Sequence, residues 1–445
     1  MYNPQRKIYF ITISMWAYLL LPPLAAQQLK KQINFGGSGT DNAMDLIKTA
    51  DNNLIVIGSS SSGKSGDKNS DGFGDLDFWI VKCTPKGKIL WQQTYGGDQV
   101  DEPRTILETE NRDLVIAGNS MSGVSGNKKT PLIGKADFWV LRLDKEGNLL
   151  WQKSFGKKDV STLSKMIPLS NGNFLLSGYT WIEPSSVPGS KKVRYEYWLI
   201  TIDGLGNMIS EKTLGGNHDD MLETTTQLRN KDILLTGFSL SGATGDKSEP
   251  NLGDFDFWTI ALNEELSTIK WQKTTGTDKD DRPSDIVETQ NGVFVGGASP
   301  MNVPGQALSN YYLCQFDADG AFKKSIRYGG DENDYLSTLT LTSDGGFLIG
   351  GVSQSGISGD KSEKCFGIFD VWAMKCDASG KLLWDKTIGG NQFETISKII
   401  PFKRKCYILV IQSESGNTGN LIKPGKGGYD YVLVYLKDQK VRKQK

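Results

Sequence analysis

Residues 67–75 have the spacing of a calcium-binding loop. The segment reads Asp-Lys-Asn-Ser-Asp-Gly-Phe-Gly-Asp, so side-chain oxygens alternate with other residues and a glycine permits a tight turn. Carboxylate and amide oxygens are the ligands that Ca²⁺ prefers. The spacing predicts a calcium site at Asp67, Asn69, Asp71, Phe73 and Asp75. The alternative is a loop ordered without metal, because equivalent loops carry lysine or proline at ligand positions, as at Lys129, Pro131 and Lys364.

Two sets of acidic residues recur at equivalent places along the chain. The first acidic ring comprises Asp77, Asp137, Glu196, Asp256, Asp370 and Asp430, and the second comprises Asp41, Asp101, Asp220, Asp281, Asp334 and Glu394. Two carboxylates at the proper separation can hydrolyse a glycoside. A catalytic pair is normally unique, however, whereas aspartate at strand entries and turns commonly caps backbone N–H groups. We therefore interpret both rings as structural.

Several kinds of chemistry are disfavoured by what the sequence lacks. His218 is the only histidine, so neither a zinc cage with two imidazoles nor a second histidine-based site can form. No glycine-rich phosphate-binding motif is present. Lys plus Arg and Asp plus Glu both number 51, which leaves no basic footprint for nucleic acid or anionic membrane. These features predict no nucleotide or nucleic-acid partner and favour a non-enzymatic protein.

Two loops that depart from the regular pattern are the predicted ligand surface. They occupy residues 180–197 and 299–312, whereas the equivalent loops elsewhere keep a constant length with conserved spacing of glycine. Surface loops can vary without disturbing a scaffold, so function concentrates where the regular pattern is broken. We predict ligand contacts at Trp181, Arg194, Tyr195 and Tyr311. Neutral drift of a surface loop is the alternative.

The elements that must position these residues come from an internal repeat. Segments resembling Trp-Gln-Gln-Thr-Tyr-Gly-Gly start near residues 31, 91, 151, 210, 271, 324 and 384. Each copy then gives a hairpin-like unit, a loop and an acidic-aromatic strand such as Asp-Phe-Trp-Ile-Val-Lys-Cys at 77–83. Nine of the eleven tryptophans sit at repeat positions, which indicates packing between repeats rather than binding.

Seven such units predict an all-β, seven-bladed β-propeller of four-stranded blades. The last repeat ends on its acidic-aromatic strand, while the first begins with a copy of the Trp strand that lacks its tryptophan. We therefore expect the N-terminal strand to pair with the C-terminal blade and close the ring, which removes two exposed sheet edges.

The motifs resemble those of secreted bacterial β-propeller repeat proteins. The resemblance rests on the Trp…Gly-Gly, Asp-Gly-Gly-aromatic and Asp-aromatic-Trp motifs and covers residues 31–437. It implies the propeller fold and says almost nothing about activity.

The first 26 residues read as a signal peptide. Arg6 and Lys7 precede an apolar stretch at 8–21 that is too short to span a bilayer, and small residues follow near Ala26. The sequence predicts a mature single-domain propeller over 27–445 with no transmembrane span after cleavage. The alternative is an uncleaved membrane anchor. The five cysteines are interpreted as buried small hydrophobic residues, with at least one left unpaired within the chain.

Taken together, the sequence predicts a secreted, periplasmic or cell-surface propeller that serves as a binding or assembly scaffold. Its expected ligand is a protein or a glycan at the cell envelope. The alternative is a glycan-active hydrolase or lyase with carboxylate or Tyr residues in the central funnel. An enzyme predicts acids, or an acid with Arg or Tyr, converging on the axis with shifted pKa values.

Overall fold

The computed structural model describes residues 28–182, 194–301 and 308–438, and in these ranges the regular elements are all strands. In chain order they are β1 (Gln28–Phe35), β2 (Asp41–Lys48), β3 (Leu54–Ser60), β4 (Asp77–Cys83), β5 (Ile89–Tyr95), β6 (Asp101–Glu108), β7 (Leu114–Ser120), β8 (Asp137–Leu143), β9 (Leu149–Phe155), β10 (Ser161–Pro168), β11 (Phe174–Ile182), β12 (Arg194–Ile202), β13 (Met208–Leu214), β14 (Asp220–Gln227), β15 (Ile233–Ser239), β16 (Asp256–Leu262), β17 (Ile269–Thr275), β18 (Arg282–Thr289), β19 (Gly292–Pro300), β20 (Ser309–Phe316), β21 (Phe322–Tyr328), β22 (Asp334–Leu341), β23 (Phe347–Ser353), β24 (Asp370–Cys376), β25 (Leu382–Ile388), β26 (Glu394–Lys403), β27 (Cys406–Ser413) and β28 (Asp430–Lys437).

These strands form seven antiparallel four-stranded sheets, which are the blades of a propeller. Blades 1 to 6 each take four consecutive strands, from β2–β5 for blade 1 to β22–β25 for blade 6. Blade 7 has the order β26-β27-β28-β1. In it, the N-terminal strand pairs antiparallel with the last strand, for example Phe35 with Tyr431. The predicted fold class and the predicted closure of the ring are both confirmed.

Each blade runs from an inner strand at the axis to an outer strand at the rim. The two middle strands are almost continuously buried, as in β3 and β4, because both of their faces pack against neighbouring blades. The outer strands are only partly buried, as in β5. We call the surface that carries the β3–β4 loop and its equivalents the loop face, and the opposite surface the turn face.

Aromatic side chains join successive blades. Phe78 of blade 1 packs on Trp139 of blade 2 with ring centroids 4.9 Å apart. The same arrangement closes the ring, where Tyr431 of blade 7 packs on Trp79 of blade 1, also at 4.9 Å. This is why an aromatic residue follows the acidic position in most repeats. Cys83, Cys314 and Cys376 are buried, Cys406 and Cys365 are half-buried, and all five cysteines are free.

The predicted signal peptide lies outside the described residues, so it stays a prediction. Within the described ranges, no helix is long and apolar enough to cross a membrane.

Candidate functional site

Both acidic rings lie at the loop face and cap backbone amides there. In the second ring, Asp101 accepts hydrogen bonds from the Gly97 N–H at 2.7 Å and the Ser122 hydroxyl at 2.8 Å. In the first ring, Asp137 accepts from the N–H groups of Ile133 and Gly134 at 2.6 and 3.0 Å. Equivalent caps are made by Asp41, Asp77, Asp220, Asp256, Asp334 and Asp430. The repeated acids therefore act as the structural caps that the sequence predicts.

Burial shifts the titration of these caps. It raises the pKa to about 6 in five of them: Asp77, Asp220, Asp256, Asp370 and Asp430. Buried lysines accompany the rings in four blades, and burial lowers their pKa; they are Lys68, Lys128, Lys247 and Lys361. Burial therefore disfavours the charged forms of these aspartates and lysines, and their hydrogen bonds only partly offset this loss of hydration free energy.

The repeated tryptophans are structural. The indole N–H of Trp79 donates to Gln92 on the neighbouring outer strand at 3.0 Å, and the same bond recurs from Trp258 to Gln272 at 2.9 Å. The second tryptophan set lies on the outer strands. There Trp91 covers Gly147, which has φ +90° in a turn of the next blade, and a Cβ on that glycine would lie 3.1 Å from the indole ring. These contacts confirm packing between blades.

The predicted calcium ligands do not converge on one point. The Asp67 carboxylate accepts from the Gly36 N–H at 3.2 Å and pairs with the ammonium of Lys426. Asp71 accepts from the Lys64 N–H at 2.8 Å. In the described part of the chain, no three His, Cys, Asp or Glu side chains are grouped so that they could hold a metal ion. The predicted calcium site at these residues stays a prediction.

Position 67 has a structural role that its counterparts share. Asn127, Asp246, Asp360 and Asn420 accept a hydrogen bond from the first glycine of the Gly-Gly segment that ends the preceding blade. These bonds are 2.9 to 3.2 Å long. The constant length of the loop is therefore explained by a bond between neighbouring blades.

The four predicted ligand contacts separate into two groups. Arg194 is 2% exposed and forms an ion pair with Glu196 at 2.5 Å. Tyr311 is fully buried, and its hydroxyl donates to the carbonyl of Trp372 at 3.1 Å. Both side chains are buried, and among the described residues Nε and Nη1 of Arg194 have no hydrogen-bond partner. Tyr311 aligns with Phe78 and Tyr197 in the repeat, and this signal could have marked it as core.

Trp181 and Tyr195 are half-buried at the loop face and lie opposite each other on β11 and β12. Lys135 of blade 2 lies over the Trp181 ring, 6.0 Å from its centroid. A cavity of about 430 Å³ lies beside Trp181 and is lined in part by Lys157, Lys158 and Glu211. Much of the two irregular loops, at 183–193 and 302–307, lies outside the described residues.

The structure adds aromatic residues that sequence reasoning missed. Tyr179 meets Tyr195 edge-on with centroids 5.5 Å apart. At the next blade junction, the guanidinium of Arg282 from blade 5 lies 4.8 Å from the ring centroid of Phe238 and 5.1 Å from that of Phe255, both in blade 4. We call Tyr179, Tyr195, Phe255 and Arg282 the blade 3–4 patch. Aligning the repeats could have found it, since blades 3 and 4 carry aromatics at both of these loop-face positions.

The seven inner strands enclose a charged cavity of about 260 Å³ on the axis. Each inner strand has a β-bulge at the same place, as between Ala43 and Asp45. The bulge directs two successive side chains towards the axis. The charged residues that line the cavity are Asp45, Arg104, Lys165, Glu223, Asp285 and Lys398. Sequence reasoning missed this set, because the bulge breaks the two-residue alternation that assigns side chains to faces.

Glu223 is an acid of this cavity with a shifted pKa. Burial raises its pKa to about 7, although Arg104 and Arg282 act in the opposite direction. Burial also raises the pKa of Tyr179, with Glu223 nearby adding to that shift. An acid with arginine and tyrosine near the axis is the arrangement that the enzyme alternative predicts.

No family model matches the chain. A curated relative, Regulatory protein FlaEY of Caulobacter vibrioides, is 27% identical over 212 residues. The match covers 44% of this chain and 22% of the relative, so the chain spans about a fifth of that protein's length.

Two solved structures resemble the chain over most of its length. Drosophila Plexin A, described in complex with Semaphorin 1b, matches with a TM-score of 0.50 and 9% identity, over 92% of this chain and 88% of that one. The Pan2 WD40 domain of Neurospora crassa gives a TM-score of 0.48 and 11% identity, over 92% of each chain. At these identities the likeness concerns the propeller fold alone.

Proposed function

We propose that the protein is an exported, non-enzymatic scaffold that binds a protein or a glycan at the cell envelope through its loop face. One observation carries this proposal: the blade 3–4 patch is the place where aromatic rings and an exposed arginine gather outside the repeated packing. The side-chain exposure of Arg282 is 52%. Tyrosine and arginine dominate binding energy at protein interfaces, and aromatic faces also stack on sugars.

Two comparisons are compatible with a binding role. Plexin A is a propeller described with a protein partner, and the curated relative is named as a regulatory protein. The acidic rings also support the proposal, because their repeated carboxylates are already used to cap backbone amides.

Arg282→Ala tests the patch, with Arg229→Ala on the turn face as a matched control. Arg229 is comparably exposed, at 57% of its side chain. We expect Arg282→Ala to weaken capture of an envelope protein or an arrayed glycan by at least about fivefold, as for a residue at the centre of an interface. We expect Arg229→Ala to bind like the wild type. Equal binding by the two variants, or no ligand from either source, would contradict the proposal.

The glycan-active enzyme is a second candidate, favoured by the raised pKa of Glu223 beside Arg104. Against it, the other two carboxylates of the cavity, Asp45 and Asp285, accept backbone N–H bonds from the next blade at 3.1 and 2.8 Å. We expect a glycan panel to show no cleavage or elimination products with the wild-type protein. Products that disappear with Glu223→Gln would establish the enzyme and overturn the scaffold.

Calcium binding is kept as a proposal with its own test. For a cage to form, Asp67 would have to leave the ammonium of Lys426, so Lys426→Met is expected to strengthen any calcium binding. Calorimetry on the chelator-treated protein should then show heat, and the melting temperature should rise on binding. Absence of heat together with an unchanged melting temperature, in both wild type and variant, would rule the site out.

A further inference from the structure

The ordinary residue at the first bulge position of an inner strand is serine, and its role is structural. Ser164, Ser284 and Ser397 each donate to a backbone carbonyl of the next inner strand, at 2.6 to 2.9 Å. These bonds link successive blades around the axis. Arg104 and Glu223 stand at the same bulge position and make no such bond among the described residues.

Three of the six charged side chains in the cavity make contacts at hydrogen-bond distance within the fold. Lys398 pairs with Asp45 at 2.8 Å, and Asp45 also accepts from the Ile106 N–H at 3.1 Å. Asp285 accepts from the Leu339 N–H at 2.8 Å and from the Thr338 hydroxyl at 3.2 Å. These charges are explained by the joining of blades.

The other three charges, on Arg104, Lys165 and Glu223, come from the consecutive blades 2, 3 and 4, and these side chains form no hydrogen bond with the described residues. The ammonium of Lys165 makes no hydrogen bond or ion pair with any described residue. The Nε of Arg104 is buried without an acceptor, while its Nη2 forms an ion pair with Glu102 at 3.7 Å. Glu223 accepts no hydrogen bond within the described ranges. The three side chains are half-buried, so a ligand that supplies hydrogen-bond partners in place of water would find charged groups available to bind it.

The charges of Lys165, Arg104 and Glu223 indicate which groups the ligand must carry. These side chains are two cations and one acid. Repulsion from Lys398, together with burial, lowers the pKa of Lys165, while Asp285 and Asp45 only partly oppose this. A ligand carboxylate placed beside Lys165 and Arg104 would relieve that repulsion. Burial also favours the protonated form of Glu223, so this side chain can exchange hydrogen bonds with hydroxyl groups.

The size of the cavity restricts the ligand further. About 260 Å³ is below the range of roughly 300–1,000 Å³ typical of drug-sized pockets. Its wall is more polar than apolar and includes the hydroxyls of Ser164, Ser284 and Ser337. The space and its lining suit one small polar molecule rather than a chain of sugars.

We infer that this cavity on the axis, the central channel of the propeller, binds a small hydroxycarboxylate of the sugar-acid class. Its carboxylate lies on Lys165 and Arg104, and its hydroxyls face Glu223 and the serines of the inner strands. This site adjoins the blade 3–4 patch, because Arg282 and Tyr179 lie near Glu223, but the inference does not rest on the function proposed for that patch.

Calorimetry with sodium glucuronate and with glucose tests this inference, because the two sugars differ mainly in the carboxylate. We expect glucuronate to bind measurably at low ionic strength and glucose to bind at least about tenfold more weakly, as for the loss of a charged hydrogen bond. Equal affinity for glucuronate and glucose would show that the cations of the cavity do not bind the carboxylate, and it would overturn the inference. The absence of any glucuronate binding would also overturn the inference.

Lys165→Met tests the assignment to the channel. We expect this variant to lose at least about tenfold in glucuronate affinity, with Arg104→Gln as a second, independent variant. Lys86→Met on the turn face is the matched control and should bind like the wild type. Melting temperatures check folding, and Lys165→Met should not be less stable, because it removes a repulsive charge. Unchanged glucuronate binding by both channel variants would refute the site, whatever happens at the blade 3–4 patch.

Discussion

At the scale of single residues, the buried carboxylates connect stability to pH. Asp77 accepts from the Phe73 N–H at 2.6 Å, yet burial raises its pKa to about 6, from an ordinary value of 3.8. The folded state therefore binds a proton on the Asp77 carboxyl more tightly than the unfolded state does. The contribution of this protonation to stability is fully present below about pH 4 and is lost as the pH rises through about 6.

Asp77→Asn should reduce this pH dependence. Asparagine is compatible with the site, because Asn310 occupies the equivalent place in blade 5. Between pH 4 and pH 8 we expect the melting temperature of the wild type to fall more than that of the variant, by about 1–3 °C. The measurement is thermal unfolding at a series of pH values.

Asp144→Asn is the control for this series. Asp144 is an exposed turn residue whose pKa is lowered by hydrogen bonds, mainly from the side chain of Asn148. Its contribution to stability is lost only as the pH falls below the ordinary range of aspartate. The slope between pH 4 and pH 8 should therefore match the wild type. If Asp77→Asn gives that same slope, the burial of Asp77 does not control the pH dependence.

At the scale of elements, β1 has a special role because it is remote in sequence from the blade it completes. It adds the outer strand to blade 7 and buries Ile33 and Phe35, which are 3% and 2% exposed. Without it, β28 would be left as an open sheet edge. The ring therefore depends on side chains of a single strand at the N-terminus.

Phe35→Ala should weaken the closure. Removing a buried phenylalanine side chain costs about 3–5 kcal/mol of unfolding free energy, measured by urea denaturation. Phe322→Ala is the matched control, because Phe322 also lies on an outer strand but is 43% exposed. We expect that variant to lose less than about 1 kcal/mol. Similar losses in the two variants would mean that burial of Phe35 does not hold the ring closed.

The β-bulges are the second element that matters for function. They occur at one place in all seven inner strands, as between Leu222 and Thr224 in β14. A bulge lets two successive side chains face the axis, and it therefore determines which charges line the channel. The same residues in regular strands would alternate between the two faces of a blade.

At the scale of the whole molecule, the ring separates scaffold from candidate sites. Contacts that recur in most blades, such as the acidic caps and the Trp–aromatic pairs, hold the blades together. The residues that depart from the repeated pattern lie on neighbouring blades. The blade 3–4 patch takes side chains from blades 3, 4 and 5, and the cavity charges without hydrogen bonds come from blades 2, 3 and 4. One side of the propeller therefore carries both candidate sites.

The sequence by itself determined the number of blades, the four strands of each blade and the closure of the ring. These features follow from local patterns, namely the repeat and the turn signals. Closure follows because the last repeat lacks a Trp strand after its acidic-aromatic strand, while an extra copy of the Trp strand precedes the first complete repeat. The same patterns also led to the correct interpretation of the tryptophans and of the acidic rings.

Only the tertiary structure decided which unique residues come together. Tyr195 and Tyr311 both fall in segments that the sequence predicts as irregular loops, yet the structure places them on strands β12 and β20. Tyr311 is buried by packing against Trp372, whereas Tyr195 is half-buried. The residues of the axial cavity lie on seven strands far apart in the sequence, and the bulges change which side chains point inward. Convergence of this kind depends on the closure of the ring, and therefore no local pattern encodes it.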